Sequence, residues 1–177
     1  IYLRRQGYEV NVYERRPDMR KASISAGRSI NLALSDRGIR ALEEVGIMED
    51  IRKIAIPMHG RYMHNLDGTH TYQPYGKEGQ FINSVSRGEL NKTLMTLAEN
   101  EGAELFFNHK CDQIDWKQNE IHFTDTETDQ HRVSNQELIF GSDGAFSAAR
   151  LSYQLHHDRF QYHQYYIDFG YKELSCL

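Results

Sequence analysis

The first sixteen residues, IYLRRQGYEVNVYERR (residues 1–16), carry the pattern that decides the fold class. Ile1 to Arg5, followed by Gly7, is typical of the last turn of a helix that ends in a glycine cap. Aromatic and β-branched residues between Tyr8 and Tyr13 predict a strand, which stops at Glu14. Helix, strand and acidic residue follow each other in this order in a dinucleotide-binding βαβ unit, so the sequence favours an α/β fold.

Glu14 stands where such a unit places the carboxylate that accepts hydrogen bonds from the adenosine ribose. An ordinary carboxylate at a strand end is the alternative that this segment leaves open. Arg15 and Arg16 suit a phosphate on the ribose or a neighbouring diphosphate. The acidic residue normally lies about 20 residues after the glycine-rich turn. We therefore expect those glycines before Ile1, and the chain to be an excerpt of a longer protein.

Composition is that of an ordinary soluble domain: 177 residues, 39% hydrophobic and 26% charged, with two Cys and three Pro. The apolar runs are too short for a membrane-spanning helix, and two distant Cys predict neither a disulfide framework nor a zinc site. Residues 1–40 carry nine basic and four acidic groups, a balance of +5 in a chain of net charge −4. This segment is a candidate docking face for a phosphorylated ligand, with arginines on a solvated helix face as the alternative.

Further along, Ser35 and Gly46 bracket a helical pattern, and Gly and Pro residues divide 61–85 into short antiparallel pieces. A second helix is predicted from Arg87 to Asn100, closed by Gly102. Short strands are then predicted at 104–108, 110–116, 119–124, 131–133 and 137–140.

The stretch GRSINLALS (residues 27–35), followed by Arg37 and Gly38, is not explained by helix or strand patterns alone. It resembles the kynurenine 3-monooxygenase family of aromatic-ring flavin hydroxylases, which share the para-hydroxybenzoate hydroxylase fold. Several ungapped blocks in the right order carry the resemblance over essentially the whole chain: residues 12–14, 28–35, 56–64, 74–76, 86–91, 141–150 and 166–174.

The resemblance implies a Rossmann-like FAD-binding domain over 1–60 and 86–165, α/β in class and α+β overall. Residues 61–85 and 166–177 would be parts of an antiparallel β substrate domain, with one strand at about Asp168 to Leu174. The implied reaction is the hydroxylation of L-kynurenine to 3-hydroxykynurenine with FAD, NADPH and dioxygen, through a flavin hydroperoxide. That reaction belongs to tryptophan degradation and NAD biosynthesis, and we expect a bacterial type of cytoplasmic enzyme.

The resemblance also assigns residues. Arg61 and Tyr75 match the pair that holds the amino-acid carboxylate of the substrate. The FAD contacts match Glu14, Arg15, Arg16, Ala33, Arg87, Cys111, Asp143 and Ala148, with Cys111 and Ala148 acting through the backbone. The alternatives are a solvated strand residue for Arg61, a turn aromatic for Tyr75, a surface ion pair with Glu89 for Arg87, and a common Ser-Asp-Gly turn at Asp143.

Other functions find less support in the sequence. His156, His157 and His163 are spaced most like metal ligands, but no pair of them is bracketed by Cys or carboxylates in a recognised order, so we expect no metal. The last 25 residues, 153–177, are rich in aromatic side chains but contain only two basic residues, Arg159 and Lys172. Nucleic-acid binding needs basic residues interleaved with the aromatics, so this composition argues against it. The remaining alternatives are a related flavin hydroxylase with another aromatic substrate, and an inactive fragment that does not retain FAD.

Overall fold

A computed structural model describes residues 1–21 and 31–170. These form two compact units, one from Ile1–Val10 and Met19–Glu104 and the other from Asn11–Asp18 and Leu105–Leu177. The division differs from the domain boundaries expected above, which stay a prediction. Residues 27–30 of the GRSINLALS stretch, and the Tyr171 to Leu174 end of the expected strand, lie outside the described residues.

The helices of the first unit follow the glycine and capping signals. They are α1 (Tyr2–Arg5), α2 (Asp36–Glu44), α3 (Met48–Arg52) and α4 (Arg87–Asn100). Gly7 and Gly46, at φ +89° and +59°, follow α1 and α2 in the left-handed conformation that glycine adopts without steric cost. Ser86 caps α4, because its hydroxyl accepts a hydrogen bond from the Glu89 N–H at 3.4 Å. The predicted bounds of α4 are confirmed.

The strands of the first unit form an antiparallel sheet and a separate hairpin. In the sheet, β6 (Ile82–Ser86) lies between β2 (Asn31–Leu34) and β3 (Ala55–Met58). The hairpin pairs β4 (Gly60–His64) with β5 (His70–Pro74), with Arg61 opposite Gln73. The antiparallel excursion predicted for 61–85 is therefore confirmed.

The core of the first unit is small and aliphatic. Ile51 of α3 and Val85 of β6 are 0% and 1% exposed. Val45, Ile47 and Met48, in the connection from α2 to α3, are also buried. Burying such side chains contributes roughly 1.5–3 kcal/mol each and fixes α3 in the unit.

The second unit holds the remaining strands and one helix. They are β1 (Asn11–Tyr13), β7 (Glu104–Phe106), β8 (His109–Asp115), β9 (Glu120–Asp125), β10 (His131–Asn135) and α5 (Ala148–His156). Antiparallel pairing orders three of them as β10, β9, β8, and β1 pairs with β7. The strands predicted at 104–108, 110–116, 119–124 and 131–133 are confirmed to within two residues at their ends.

A single apolar cluster joins α5 to the sheet. Ile114, Ile121, Phe123 and Ala149 are buried in it. The Tyr13 ring stacks on Phe123 with centroids 4.3 Å apart. The buried Ser152 hydroxyl of α5 accepts a hydrogen bond from the Ile114 N–H at 3.0 Å, which ties the helix to β8.

The strand predicted at 137–140 is wrong. These residues adopt bends and irregular backbone, and Leu138 and Phe140 are 62% and 66% exposed. Only Ile139 packs against the apolar cluster. A strand needs a neighbour for its ladder hydrogen bonds, and within residues 1–21 and 31–170 no strand pairs with this run.

A search of the described part of the chain for membrane-spanning segments finds no helix with the length and apolar character to cross a bilayer.

Candidate functional site

Glu14 follows β1 directly and is fixed by backbone and side-chain bonds. Its N–H donates to the Phe106 carbonyl at 2.8 Å, and its carbonyl accepts from the His109 N–H at 2.9 Å. Its carboxylate accepts from the Arg16 backbone N–H at 2.9 Å and from the guanidinium Nε at 3.0 Å and Nη2 at 3.2 Å. The strand end thus holds a carboxylate in a set orientation.

The electrostatics of this pair favour an ionised carboxylate. Partial burial alone would raise the pKa of Glu14, but hydrogen bonds from the Arg16 side chain and backbone outweigh it and lower that pKa below its usual value. The same contact raises the pKa of Arg16. Glu14 is therefore an acceptor at neutral pH. A carboxylate has about four lone-pair sites, so hydroxyl donors can add to the Arg16 contacts.

Arg15 and Arg16 take different positions after the strand. Arg15 is exposed, and its carbonyl accepts from the Thr126 hydroxyl at 3.3 Å. The Arg16 carbonyl accepts from the Asn108 N–H at 3.2 Å while its side chain faces Glu14. Of the two predicted FAD contacts, Arg16 orients the carboxylate and Arg15 presents its side chain to solvent.

Asp143 turns its carboxylate back into its own loop. Oδ1 accepts from the Ser147 hydroxyl at 2.5 Å and Oδ2 from the Ala149 N–H at 3.1 Å. Burial acts to raise the pKa of Asp143, but these bonds prevail and lower it. The side chain thus orders the loop before α5, which fits the structural alternative. Gly144 beside it has φ +85°, a left-handed conformation that glycine adopts without steric cost.

Cys111 and Ala148, which are predicted to contact FAD through the backbone, lie in β8 and at the start of α5. Cys111 adjoins an irregularity in the β8–β9 register between residues 111 and 113, and packs against the apolar cluster. Burial raises the pKa of its thiol to about 11, with negative charge on Asp143 and Asp112 adding to the rise. The thiol stays protonated at neutral pH. Ala148 is the first residue of α5.

Ala33 and Arg87 lie at the sheet of the first unit. Ala33 of β2 is opposite Ser84 of β6, and Arg87 begins α4 immediately after β6. The Glu89 carboxylate, considered above as an ion-pair partner of Arg87, contacts the Lys92 amine at 3.0 Å. Arg87 is half-buried.

Arg61 and Tyr75 lie on one face of the β4–β5 hairpin. Arg61 is opposite Gln73, and the Tyr75 N–H donates to the His59 carbonyl at 3.0 Å, which extends the same register by one pair. Side chains two positions apart on a strand share a face, so the two residues are diagonal neighbours. Such neighbours are about 7–8 Å apart at Cα, near enough for both to reach one carboxylate. The hairpin therefore brings the predicted pair together.

A groove of about 570 Å³ in the first unit has Tyr75 on its wall. The wall combines the apolar Ile39, Phe81 and Ile82 with polar and charged residues: Ser35, Asp36, Arg52, Gln80 and Asn83. Its volume lies in the range of pockets that hold small molecules.

The structure also shows a residue that the sequence reasoning missed. The Gln73 side-chain oxygen accepts a hydrogen bond from Arg61 Nε at 2.8 Å. The signal was available in the spacing, because Gln73 precedes Tyr75 by two residues on a predicted strand and so shares its face.

Several basic side chains of residues 1–40 pair with acidic or carbonyl groups of the folded chain. Arg5 and Arg20 pair with Glu101 and Glu99 near the end of α4, and Arg4 Nε donates to the Glu101 carbonyl at 3.1 Å. These three contacts place the arginines against the carbonyl end of a helix, where cations are favoured. Ion pairs and hydrogen bonds within the folded chain therefore account for much of the positive charge of this segment, which was considered above as a docking face.

FAD chemistry fits the residues present in each unit. The second unit holds Glu14, Arg15, Arg16, Cys111, Asp143 and Ala148, and the first holds Ala33, Arg87, Arg61 and Tyr75. The ionised Glu14 carboxylate at a strand end is the acceptor that a ribose diol needs. Within the described ranges no group of three or more His, Cys, Asp or Glu is arranged to hold a metal ion.

Several curated proteins are similar to this chain over its whole length. A kynurenine 3-monooxygenase of Christiangramia forsetii is 46% identical over 178 residues, 100% of this chain and 39% of that relative. One of Flavobacterium johnsoniae is 43% identical over 99% of this chain and 39% of its own length. One of Anopheles gambiae is 40% identical over 100% of this chain and 36% of its length. The chain thus spans about two fifths of the curated relatives it matches.

Solved structures share the fold. The flavin-dependent monooxygenase PieE, in complex with FAD and substrate, aligns with a TM-score of 0.71 and 18% identity, over 87% of this chain and 29% of PieE. The tetrameric form of 2-methyl-3-hydroxypyridine-5-carboxylic acid oxygenase aligns with a TM-score of 0.67 and 21% identity, over 86% of this chain and 37% of that one. The predicted α/β fold class is confirmed.

The family model described as "FAD binding domain" matches residues 1–172. The match takes in all the residues assigned above to FAD. Through this match over nearly its whole length, the chain belongs to the FAD binding domain family.

Proposed function

We propose that the protein containing this chain is an FAD- and NADPH-dependent monooxygenase that hydroxylates L-kynurenine to 3-hydroxykynurenine. The observation that carries the proposal is the β4–β5 hairpin, whose register makes Arg61 and Tyr75 diagonal neighbours, with Tyr75 on the wall of the groove. A guanidinium and a phenol together supply the donors that an amino-acid carboxylate accepts. The names of the curated relatives support kynurenine as the substrate.

Arg61 and Tyr75 would act by positioning the substrate. Arg61 would hold the carboxylate through its charged N–H groups, and the Tyr75 hydroxyl would add a further donor. The apolar wall formed by Phe81 and Ile82 would cover the aromatic ring and exclude water. Holding a reactant in one orientation lowers the entropic part of the barrier.

The residues predicted to contact FAD would have separate tasks. Glu14, oriented by Arg16, would accept hydrogen bonds from the adenosine ribose, and Arg15 and Arg87 would provide positive charge for phosphate or ring oxygens. Ala33, Cys111, Ala148 and the turn at Asp143 would contribute backbone groups. When bound, FAD supplies the redox chemistry that uses NADPH and dioxygen, while the protein supplies binding and orientation.

Substrate-dependent NADPH oxidation tests this proposal. The full natural protein that contains this chain is purified with FAD, and NADPH consumption is recorded with and without L-kynurenine. We expect kynurenine to stimulate oxidation, and mass spectrometry to detect a product heavier by one oxygen atom. Carrying out the reaction in ¹⁸O₂ shows whether that atom comes from dioxygen.

A second substrate class is kept in the assay because a carboxylate clamp also suits aromatic carboxylic acids. The solved relative that acts on 2-methyl-3-hydroxypyridine-5-carboxylic acid shares the fold. Stimulation by such an acid or by a simple phenol, with none by kynurenine, would contradict the kynurenine proposal. A full natural protein that takes up no FAD would contradict the flavin enzyme as a whole.

A further inference from the structure

We propose that Gln73 is a positioning residue for Arg61: its amide holds the guanidinium so that the two terminal nitrogens face the substrate carboxylate. The inference rests on the proposed function and deepens it. It assigns a role to a side chain that does not itself contact the substrate.

The geometry of the pair is fixed by the hairpin. Arg61 and Gln73 are directly opposite on β4 and β5, and Arg61 Nε donates to Gln73 Oε1 at 2.8 Å. In the described part of the chain this is the one hydrogen bond of the Arg61 side chain. A guanidinium has five N–H donors in a rigid planar fork. With Nε engaged, the four N–H donors of Nη1 and Nη2 stay available on the far edge, where a carboxylate binds through two parallel bonds.

The chemistry of the amide matters as much as its place. Gln73 is neutral, so it orients Arg61 without cancelling the charge that attracts a carboxylate. A carboxylate at the same position would form an ion pair with Arg61 and compete with the substrate. The sequence thus has a residue that can direct the guanidinium while leaving its charge unpaired.

Tyr75 strengthens the case because it completes the same face. Its backbone bond to His59 continues the register, and Arg61, Gln73 and Tyr75 all lie on that face of the hairpin. A guanidinium that rotated freely would spend part of its time directed away from Tyr75. Fixing it beforehand reduces the ordering cost of binding the carboxylate.

Two substitutions at position 73 separate orientation from charge. In the full natural protein, Gln73→Leu removes the acceptor and Gln73→Glu adds a competing charge. We expect Gln73→Leu to raise the KM for L-kynurenine about fivefold, less than the direct loss of a hydrogen bond to a charged group, because Gln73 acts only through Arg61. We expect Gln73→Glu to raise it more than about tenfold, because a carboxylate at position 73 would form an ion pair with Arg61 and compete with the substrate. In both variants kcat should stay within about twofold.

An analogue of kynurenine with hydrogen in place of the carboxylate gives the readout that a merely structural role would not move. Its KM should be the same in wild type and both variants, since it does not use Arg61. Thr71→Val is the matched control. Thr71 lies on the same strand and face as Gln73, two residues further from Tyr75, and it pairs with Met63 and not with Arg61. This control should leave both KM values unchanged.

The outcomes distinguish this inference from the function on which it rests. If Arg61→Ala raises the kynurenine KM while neither substitution at position 73 does, Gln73 has no positioning role. If the position 73 variants impair kynurenine and the analogue equally, the hairpin is disturbed in general and the inference also fails. If Arg61→Ala itself leaves the kynurenine KM unchanged, the proposed carboxylate clamp fails first.

Discussion

At the scale of single residues, Arg61 is the side chain that we propose to hold the substrate carboxylate. Loss of a hydrogen-bonding partner from a charged group costs about 1.5–3 kcal/mol, which is roughly a 10- to 150-fold change in affinity. We therefore expect Arg61→Ala in the full natural protein to raise the kynurenine KM by about that factor and to leave FAD content intact. Steady-state kinetics and the flavin absorbance of the purified variant provide the two measurements. A KM change below about threefold would count against the role of Arg61.

Glu14 gives a pH-dependent prediction. Its pKa is lowered in the folded state, so its contribution to stability is present above its unfolded pKa and is lost as the pH falls through the folded value. The pair with Arg16 is partly exposed, which limits the contribution to about 1 kcal/mol or less. We expect the unfolding free energies of wild type and Glu14→Gln to differ near pH 7 and to converge in acid. Urea titrations of the cofactor-free chain at several pH values measure this difference.

A second prediction for Glu14 concerns FAD binding. Glu14→Ala should weaken FAD binding because the acceptor for the ribose is lost, and it should leave the kynurenine KM of the FAD-saturated protein unchanged. Glu43→Ala is a control on an exposed carboxylate that also contacts an arginine. Equal FAD affinity in wild type and Glu14→Ala would show that Glu14 is an ordinary strand-end carboxylate.

Cys111 illustrates how far burial changes a side chain. With a pKa of about 11, its thiol is almost wholly protonated at pH 8, and the thiolate is the reactive form. Labelling of the folded chain by iodoacetamide at pH 8 should be at least tenfold slower at Cys111 than in the urea-unfolded chain, where the pKa is about 8.5. Peptide mass spectrometry measures the extent of labelling at Cys111. Equal rates in the two states would contradict the protected thiol.

At the scale of elements, the loop before α5 depends on Asp143. Its carboxylate binds both the Ser147 hydroxyl and the Ala149 N–H, so it acts with Ser147 at the start of the helix. Removing a capping group of this kind costs about 0.5–2 kcal/mol. We expect Asp143→Ala to lower the unfolding free energy of the cofactor-free chain by that amount, whereas the control Asp158→Ala in an exposed position should not. No loss in Asp143→Ala would leave FAD binding as the remaining explanation for this residue.

Some elements could be predicted from the sequence because their signals are local. Ser86 and Gly102 bracket α4, and the alternation in β9 shows one buried face. Other elements could not. With five residues, α3 is too short for periodicity, and the inward positions of α5 include Ala149 and Ser152, which are not large apolar residues. The run at 137–140 has strand composition, but composition does not reveal that a pairing partner is needed.

The candidate site also has features that the sequence predicts and features that it does not. The hairpin at 61–85 and the acidic strand end at Glu14 follow from spacing. Side-chain partners do not, because Arg16 folding back on Glu14 and Gln73 binding Arg61 depend on backbone turns and register. The charge excess of residues 1–40 misleads for a related reason. Its partners Glu99 and Glu101 are distant in the sequence, so a local charge count cannot include them.

At the scale of the whole molecule, the chain exposes more large apolar side chains than a self-contained domain usually does. Tyr165, Tyr166, Ile167 and Phe169 are 69–86% exposed and follow each other closely. Contiguous apolar surface of this kind marks contact sites or causes association. The chain covers about 39% of its curated relatives, so their remaining length is available to cover such side chains.

We therefore expect the 177-residue chain, expressed alone, to self-associate, because the residues 165–169 offer apolar surface to a second copy. Light scattering coupled to size exclusion should show a mass that rises with concentration. Replacing Tyr166 and Phe169 by Ser should shift the distribution towards the 20.7 kDa monomer, whereas replacing the similarly exposed Phe146 by Ser should shift it less, since that side chain is far from this run in the sequence. The full natural protein should have a mass independent of concentration over the same range. A chain that stays monomeric at all concentrations would show that its exposed aromatic residues do not drive association.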